Sequence, residues 1–316
     1  MPQPTSSQVH VDAILTNISV AYMQMADNFI ATKVFPVVPV SKQSDKFFTY
    51  TKNDWFRDEA QRRADATESA GGGYNLSTDS YQADVYAFHK DIGDQTRANA
   101  DAPINVDREA AEFVTGRMLL KMETQFVSNF FTTSVWATDS TPTNLWSDYT
   151  ASDPIGDIET GKRTILSTTG YEPNTLVLGY DTFIQLKNHP DLIDRIKYTS
   201  SQVLSESLMA SLFGVPRVMV AKSLKATNNE GATGAYAFNY GKNALLTYSA
   251  PSAGLLQPSG GYVMSWTGVS QGIGATIGVS RMRMEQFKAD RIEAEVAFDM
   301  KVIGSDLGFF FNGCVA

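Results

Sequence analysis

Two stretches dominate the hydrophobic pattern of the chain. From Asn105 to Phe131 (NVDREAAEFVTGRMLLKMETQFVSNFF), apolar residues recur at Phe113, Val114, Met118, Leu120, Met122, Phe126, Val127, Phe130 and Phe131, the spacing of one long helix. Asn105 or Asp107 can cap it, and Asp107, Glu109 and Glu112 suit the positive end of its dipole. At ~1.5 Å per residue the rod is roughly 40 Å long, and it carries too many charges to cross a membrane. From Arg291 to Ile303 the period changes to two. Ile292, Ala294, Val296, Phe298, Met300 and Val302 fall on one face, and Arg291, Glu293, Glu295, Ala297, Asp299 and Lys301 on the other. At ~3.4 Å per residue this strand also runs roughly 40 Å. Helix and strand are therefore predicted to pack lengthwise, with Phe113, Met118, Met122, Phe126, Ile292, Val296 and Phe298 in their shared core.

The helix precedes and the strand follows everything in the middle of the chain, so the middle is an insertion into this pair. Thr175 to Leu178 reads as a buried strand, followed by a helix capped at Asp181 and stopped at His189-Pro190. A helix from Ser205 to Phe213, a glycine cap at Gly214 and a strand from Pro216 to Ala221 come next. After a polar loop at 225–235, further strands are predicted near Tyr236, Leu245, Tyr262 and Ile277. The middle domain, about 160–287, is thus α+β or mixed α/β, set off by a Ser/Thr/Asp/Pro-rich stretch at 134–162.

Two segments precede the helix. Residues 1–40 end in VFPVVPV, whose prolines enforce extended backbone. They hold Ile14, Leu15, Ile18, Val20, Tyr22, Met23, Phe29, Ile30, Val34 and Phe35, so they read as an arm docked on a neighbouring surface, with a flexible terminus as the alternative. In 41–95, Lys46 to Lys52 and Tyr81 to Lys90 alternate as strands do. The connection between them carries Trp55, Arg57, Asp58, Glu59, Arg62, Arg63 and Glu68, then Gly71, Gly72 and Gly73. This is a projecting hairpin that needs another subunit to lie on, or else a solvated loop.

Composition narrows the function. With 316 residues, 43% apolar, the chain can bury a sizeable core. A net charge of -8 argues against coating nucleic acid by charge. Cys314 is the one cysteine, which excludes an internal disulfide and a cysteine-based zinc site. No basic region followed by an apolar run opens the sequence, so it reads as a soluble protein without a signal peptide or membrane span.

His10, His89 and His189 are scattered and read as surface or cap residues; His89 falls at a strand end. Gly272, Gly274 and Gly278 miss dinucleotide-loop spacing, and neither a P-loop nor a nucleophile elbow occurs. Asp54, Asp58 and Glu59 could hold a cation, though the arginines among them favour ion pairing. The sequons at Asn17 and Asn75 read as chance matches. No catalytic, cofactor or metal residue is assigned, and an enzyme is not expected.

The order of arm, hairpin, long helix, inserted domain and closing strand resembles the major capsid proteins of tailed bacteriophages, the Hong Kong 97 fold. HVDAILTNISVAYMQ with FIATKVFPVVPVSKQSDKFF is similar to that family's arm and hairpin entry, and TESAGGGYNLSTDSYQADVYAFHKDI to its hairpin return. NHPDLIDRIKYTSSQVLSESLMASLFGVPRVMVAKS is similar to its axial domain, and DRIEAEVAFDMKVIGSDLGFFF to its closing strand.

The resemblance implies an α+β capsid fold with five parts. These are an arm (1–40), an extended loop (41–95), a peripheral domain (96–159) with its spine helix at 105–131, an axial domain (160–287), and a closing strand (288–316) that returns to the axial domain. It implies that the extended loop, through Trp55, Arg57, Asp58, Glu59, Arg62, Arg63 and Glu68, lies over the adjacent subunit. Lys225, Asn228, Asn229 and Glu230 would face the capsomer centre.

The implied function is an icosahedral shell of hexamers and pentamers around double-stranded DNA, in a virion assembled in the host cytoplasm. The partners would be a separate scaffolding protein, a portal and a possible cement or decoration protein, with no membrane. A tail-tube or surface-array protein is the alternative. Between Phe56 and Ser80 there is no lysine, and between Arg291 and Ile303 no asparagine, so no self-formed cross-link is expected.

Overall fold

The computed structural model describes residues 24–50, 52–100, 104–196, 205–254, 256–269 and 277–316. The arm residues Ile14, Leu15, Ile18, Val20, Tyr22 and Met23, as well as Gly272 and Gly274, lie outside them. In chain order come α1 (Ala31–Val34), β1 (Val37–Val40), β2 (Ser44–Tyr50), α2 (Lys52–Trp55), β3 (Leu76–Gln82), β4 (Asp84–Gly93) and α3 (Asp94–Ala98). They are followed by α4 (Val106–Phe130), β5 (Thr138–Ser140), α5 (Pro154–Thr169), β6 (Thr175–Gly179), α6 (Tyr180–Lys187), α7 (Pro190–Ile196) and α8 (Glu206–Phe213). Last are β7 (Arg217–Ala221), β8 (Leu224–Ala226), β9 (Tyr236–Phe238), β10 (Ala244–Thr247), β11 (Gly261–Trp266), β12 (Gly278–Met284), β13 (Ala289–Val302) and β14 (Gly308–Phe311).

Helix α4 starts where Asn105 Oδ1 accepts the Arg108 amide (3.0 Å), leaving Asp107 free for an ion pair instead of the cap. Its buried apolar residues are Ala110, Val114, Met118, Met122, Phe126 and Phe130, one every four residues. A step of four overshoots the helical repeat by about 40°, so the stripe winds around the rod. Its first turns therefore face the sheet, while Phe126, Phe130 and Phe131 meet the arm and the inserted unit. Phe113 is the correction. It lies one position off the stripe and is 41% exposed, its ring against Phe88 and flanked by Lys90 and Arg117 instead of joining the core.

Strand β13 is the axis of the sheet under α4. Residues 289–298 pair with β4, 298–302 with β11 and 289–295 with β12, all antiparallel, and β1 adds parallel to β11. Ile292, Ala294, Val296, Phe298 and Met300 share one cluster with Val114, Met118, Met122 and Phe126. The lengthwise packing of helix on strand is therefore observed. The strands near Tyr262 and after Ile277 belong to this sheet, although the sequence groups them with the middle domain. The physical reason is that a buried 14-residue strand needs neighbours on both edges for its backbone N–H and C=O groups.

The second sheet runs β5-β14-β10-β6-β7 and makes the axial unit, with α5, α6, α7 and α8 around it. Residues 138–159, expected on the peripheral side, pack here. Trp146 and Ile155 are in its core, and β5 lies beside β14. Helix α8 is capped at Ser205 and, as expected, at Gly214 (φ 59°), whereas α6 opens at Gly179 rather than at Asp181. Strand β14 crosses back so that the axial core is closed by the last residues of the chain.

The hairpin departs from its expected register. β2 pairs with β3, while β4 leaves for β13, so the predicted strand from Tyr81 to Lys90 is two strands. The break falls at Ala83, which is fully buried and donates its N–H to Gln43 O (2.8 Å). His89 consequently sits inside β4, not at a strand end.

Candidate functional site

The residues singled out from the sequence fall into three groups, two on surfaces and one in the core. On the hairpin, β2 and β3 form an isolated two-stranded ribbon whose ladder is exposed along most of both strands. At its outer end Tyr50, Trp55 and Tyr74 pack their rings together at 5.5–6.1 Å. Trp55 (52%), Phe56 (61%) and Tyr74 (62%) nevertheless stay exposed. Arg57, Asp58, Glu59, Arg62, Arg63 and Glu68 follow on an irregular stretch, all exposed. That stretch is closed by Asp54 Oδ2, which accepts from Asn75 N (2.8 Å) and Asn75 Nδ2 (3.1 Å).

The ribbon does not project entirely free. Lys52 pairs with Asp306, and the Phe56 ring lies against Gly170, so its outer end touches the axial unit of the same chain.

The second surface is the β8–β9 ribbon. Asn229 and Glu230 are exposed at its tip. Asn228 instead shapes the loop, donating to Ala232 O (3.2 Å) and accepting from Ala235 N (3.1 Å). Lys225 is half-buried within β8 opposite Ala237. The third group, Met118, Met122, Phe126, Ile292, Val296 and Phe298, is brought together as core, without Phe113.

Two polar clusters escape the sequence reading. Asp290 is 5% exposed on β13 and accepts from Arg97 and Arg281 at 2.5 Å and from Arg283 at 3.4 Å. Hydrogen bonds from Arg281 and then Arg97 hold its carboxyl far below the usual range. Arg97 also reaches Asp107 (2.6 Å), so this network ties the start of α4 to the sheet. Alternating Arg281 and Arg283 was the available signal. Glu123, fully buried in α4, is the second. Ala31 N (2.7 Å) and the Tyr240 hydroxyl (2.5 Å) donate to it, as do Ile30 N and Ser223 Oγ. Burial pushes its carboxyl up, and burial beside that carboxylate pushes the Tyr240 phenol up. The signal here was an acid three residues before Phe126, on the apolar side of the rod.

Of the two readings of His189, surface residue or cap, the second holds: it is fully buried and acts as a cap. Its Nδ1 accepts from Asp191 N (3.3 Å), so the proton sits on Nε2 and is donated to Ser152 Oγ (2.9 Å). Ser152 gives its own proton to Asp148 O (2.6 Å). The hydrogen bonds thus run from histidine to serine, opposite to what a serine nucleophile requires. Burial also lowers the imidazole pKa, keeping it neutral. Among the described residues no group of three or more His, Cys, Asp or Glu is placed to hold a metal ion. Nor is any helix among them long and apolar enough to cross a membrane.

No family model matches the sequence. The major capsid protein of Burkholderia phage BcepMu is 25% identical over 311 residues, covering 96% of each chain. A phage-related protein from Bordetella bronchiseptica RB50 superposes with a TM-score of 0.70 at 22% identity, covering 92% of this chain and 94% of that one. The capsid structure of cyanophage P-SCSP1u superposes with a TM-score of 0.60 at 12% identity, covering 96% and 93%. With a spine helix on a long strand, an inserted α/β unit and a two-stranded hairpin, the chain has the Hong Kong 97 fold and is similar along nearly its whole length to phage major capsid proteins.

Proposed function

We propose that this chain is the structural building block of a phage capsid, assembling through itself into hexamers and pentamers of an icosahedral shell. The observation that carries this is the hairpin. A ribbon with Trp55, Phe56 and Tyr74 exposed at its end has apolar surface that its own chain leaves largely uncovered, and a second copy can cover it. Charges at Arg57, Asp58, Glu59, Arg62, Arg63 and Glu68 would set register between copies more than affinity. The tip of the β8–β9 ribbon would face the capsomer centre through Asn229 and Glu230. A separate scaffolding protein and a portal are the partners this reading implies, with shell stability coming from contacts or from a cement or decoration protein, and double-stranded DNA would be enclosed without base-specific contacts in a virion formed in the host cytoplasm.

Electron microscopy of the chain expressed with its scaffolding protein tests the reading. Closed particles with six- and five-fold capsomers are expected. Tubes or flat sheets would mean a tail-tube or surface-array protein instead, and a small discrete oligomer would overturn self-assembly altogether.

A further inference from the structure

We infer that Glu123 is the centre of a latch that holds residues 24–34 of the arm between the spine helix and the axial unit, and so fixes how those two units sit on each other. Its carboxylate is fully buried, and its donors among the described residues come from outside its own helix. Ile30 N and Ala31 N belong to the arm, while Tyr240 Oη and Ser223 Oγ belong to the axial unit. Three separate parts of the chain therefore meet on one side chain of α4.

The far end of the same arm turn is held from the axial side. Arg217 Nη1 donates to Lys33 O (3.1 Å) and Nη2 to Val34 O (3.0 Å), and Ser249 Oγ donates to Val34 O (2.7 Å). An acceptor on the spine helix thus takes the N–H end of the turn, and donors on the axial unit take its C=O end. Farther up the arm, Gln24 exchanges two hydrogen bonds with the backbone of Leu224 (2.7 and 2.9 Å). One flank of the turn, from Thr32 to Val37, borders an open cleft of about 380 Å³ that includes Asn174 and Arg217. These polar contacts act beside apolar packing: Ile30, Ala31 and Val34 are buried in the spine's core cluster, and the Phe35 ring is anchored among Phe126, Phe130 and Trp136. A buried carboxylate that collects donors from two other parts of the chain leaves them unpaired when it is removed, so losing it is expected to loosen residues 24–34 against that packing without opening the axial core. The latch is internal to one chain, so it stands or falls independently of shell formation.

Hydrogen–deuterium exchange on the full-length, unassembled chain tests it. Glu123→Ala is expected to speed exchange in residues 24–34 by about tenfold or more, with α5 and strands β6 and β10 unchanged, because local opening and global unfolding are separable. Glu123→Gln keeps an oxygen for the Ile30 and Ala31 amides and a donor for Tyr240, and is expected to protect the arm as the native residue does. Arg217→Ala, an exposed position at the other end of the turn, is expected to give a smaller rise confined to the same stretch, and it decides the matter if Glu123→Ala does not fold. Exchange that rises equally throughout the chain in both variants, or an arm unchanged in Arg217→Ala, would overturn the latch.

Discussion

The spine and the hairpin are built from similar sequence material and end in opposite situations. Both carry aromatic residues and both carry charge. On the spine, Phe126 is fully buried, with ring neighbours Phe35, Phe130 and Tyr240 on three different segments. On the hairpin, Trp55 has Tyr50 and Tyr74 of the same ribbon as its ring neighbours among the described residues and stays half open to solvent. A two-stranded ribbon has no second layer to bury its aromatics, whereas a helix laid along a five-stranded sheet does. The spine is thus a region that stabilises its own chain, and the hairpin one whose apolar surface stays largely exposed.

The largest expected effect breaks that contrast if it fails. Phe126→Ala should cost about 3–5 kcal/mol in urea unfolding, the range for emptying a buried aromatic site. Trp55→Ala should leave unfolding within about 0.5 kcal/mol, as surface changes do, while assembly is impaired. Equal destabilisation by both would show that the hairpin is a folded part of the chain's own core.

Acid response sharpens the spine further. Asp290 has its carboxyl depressed by Arg281 and Arg97, so its contribution is present above the ordinary carboxylate range near pH 4 and is lost as pH falls below it. Asp290→Asn should therefore flatten the acid limb of a stability–pH profile. Glu123 has the opposite sign. Its carboxyl is raised, so its contribution is full below about pH 4.3 and is lost as pH rises through the folded value. Glu123→Gln should remove that loss on the neutral side.

Smaller effects separate stripe from margin and fold from assembly. Phe113→Ala should cost about 1 kcal/mol, well under Phe126→Ala, because much of the ring is already in water. Arg62→Glu and Arg63→Glu should leave the melting temperature unchanged and reduce particle yield; normal shells from both would remove these arginines from the interface. Denaturing electrophoresis of particles should show single chains, since no lysine lies between Phe56 and Ser80, and a ladder of multimers would overturn the expectation of no self-formed cross-link.

What the chain's order of residues determined by itself was local. Periodicity placed α4 to within a residue at each end and put Ile292 to Met300 on one face of β13, because a buried stripe must repeat with its own element. Capping chemistry placed Gly214 at the end of α8, because that bond is made within a few residues. Partnership was left to the tertiary structure. Nothing local tells β11 and β12 to join β13 instead of the axial sheet, or β4 to leave the hairpin at Ala83, since a strand's pattern states which face is buried and not which neighbour completes its ladder. The same holds for Glu123 and Asp290. Neither is singled out by the sequence, and each is buried because donors distant in the chain, Ile30 and Tyr240 for one and Arg97 and Arg281 for the other, converge on it only after folding.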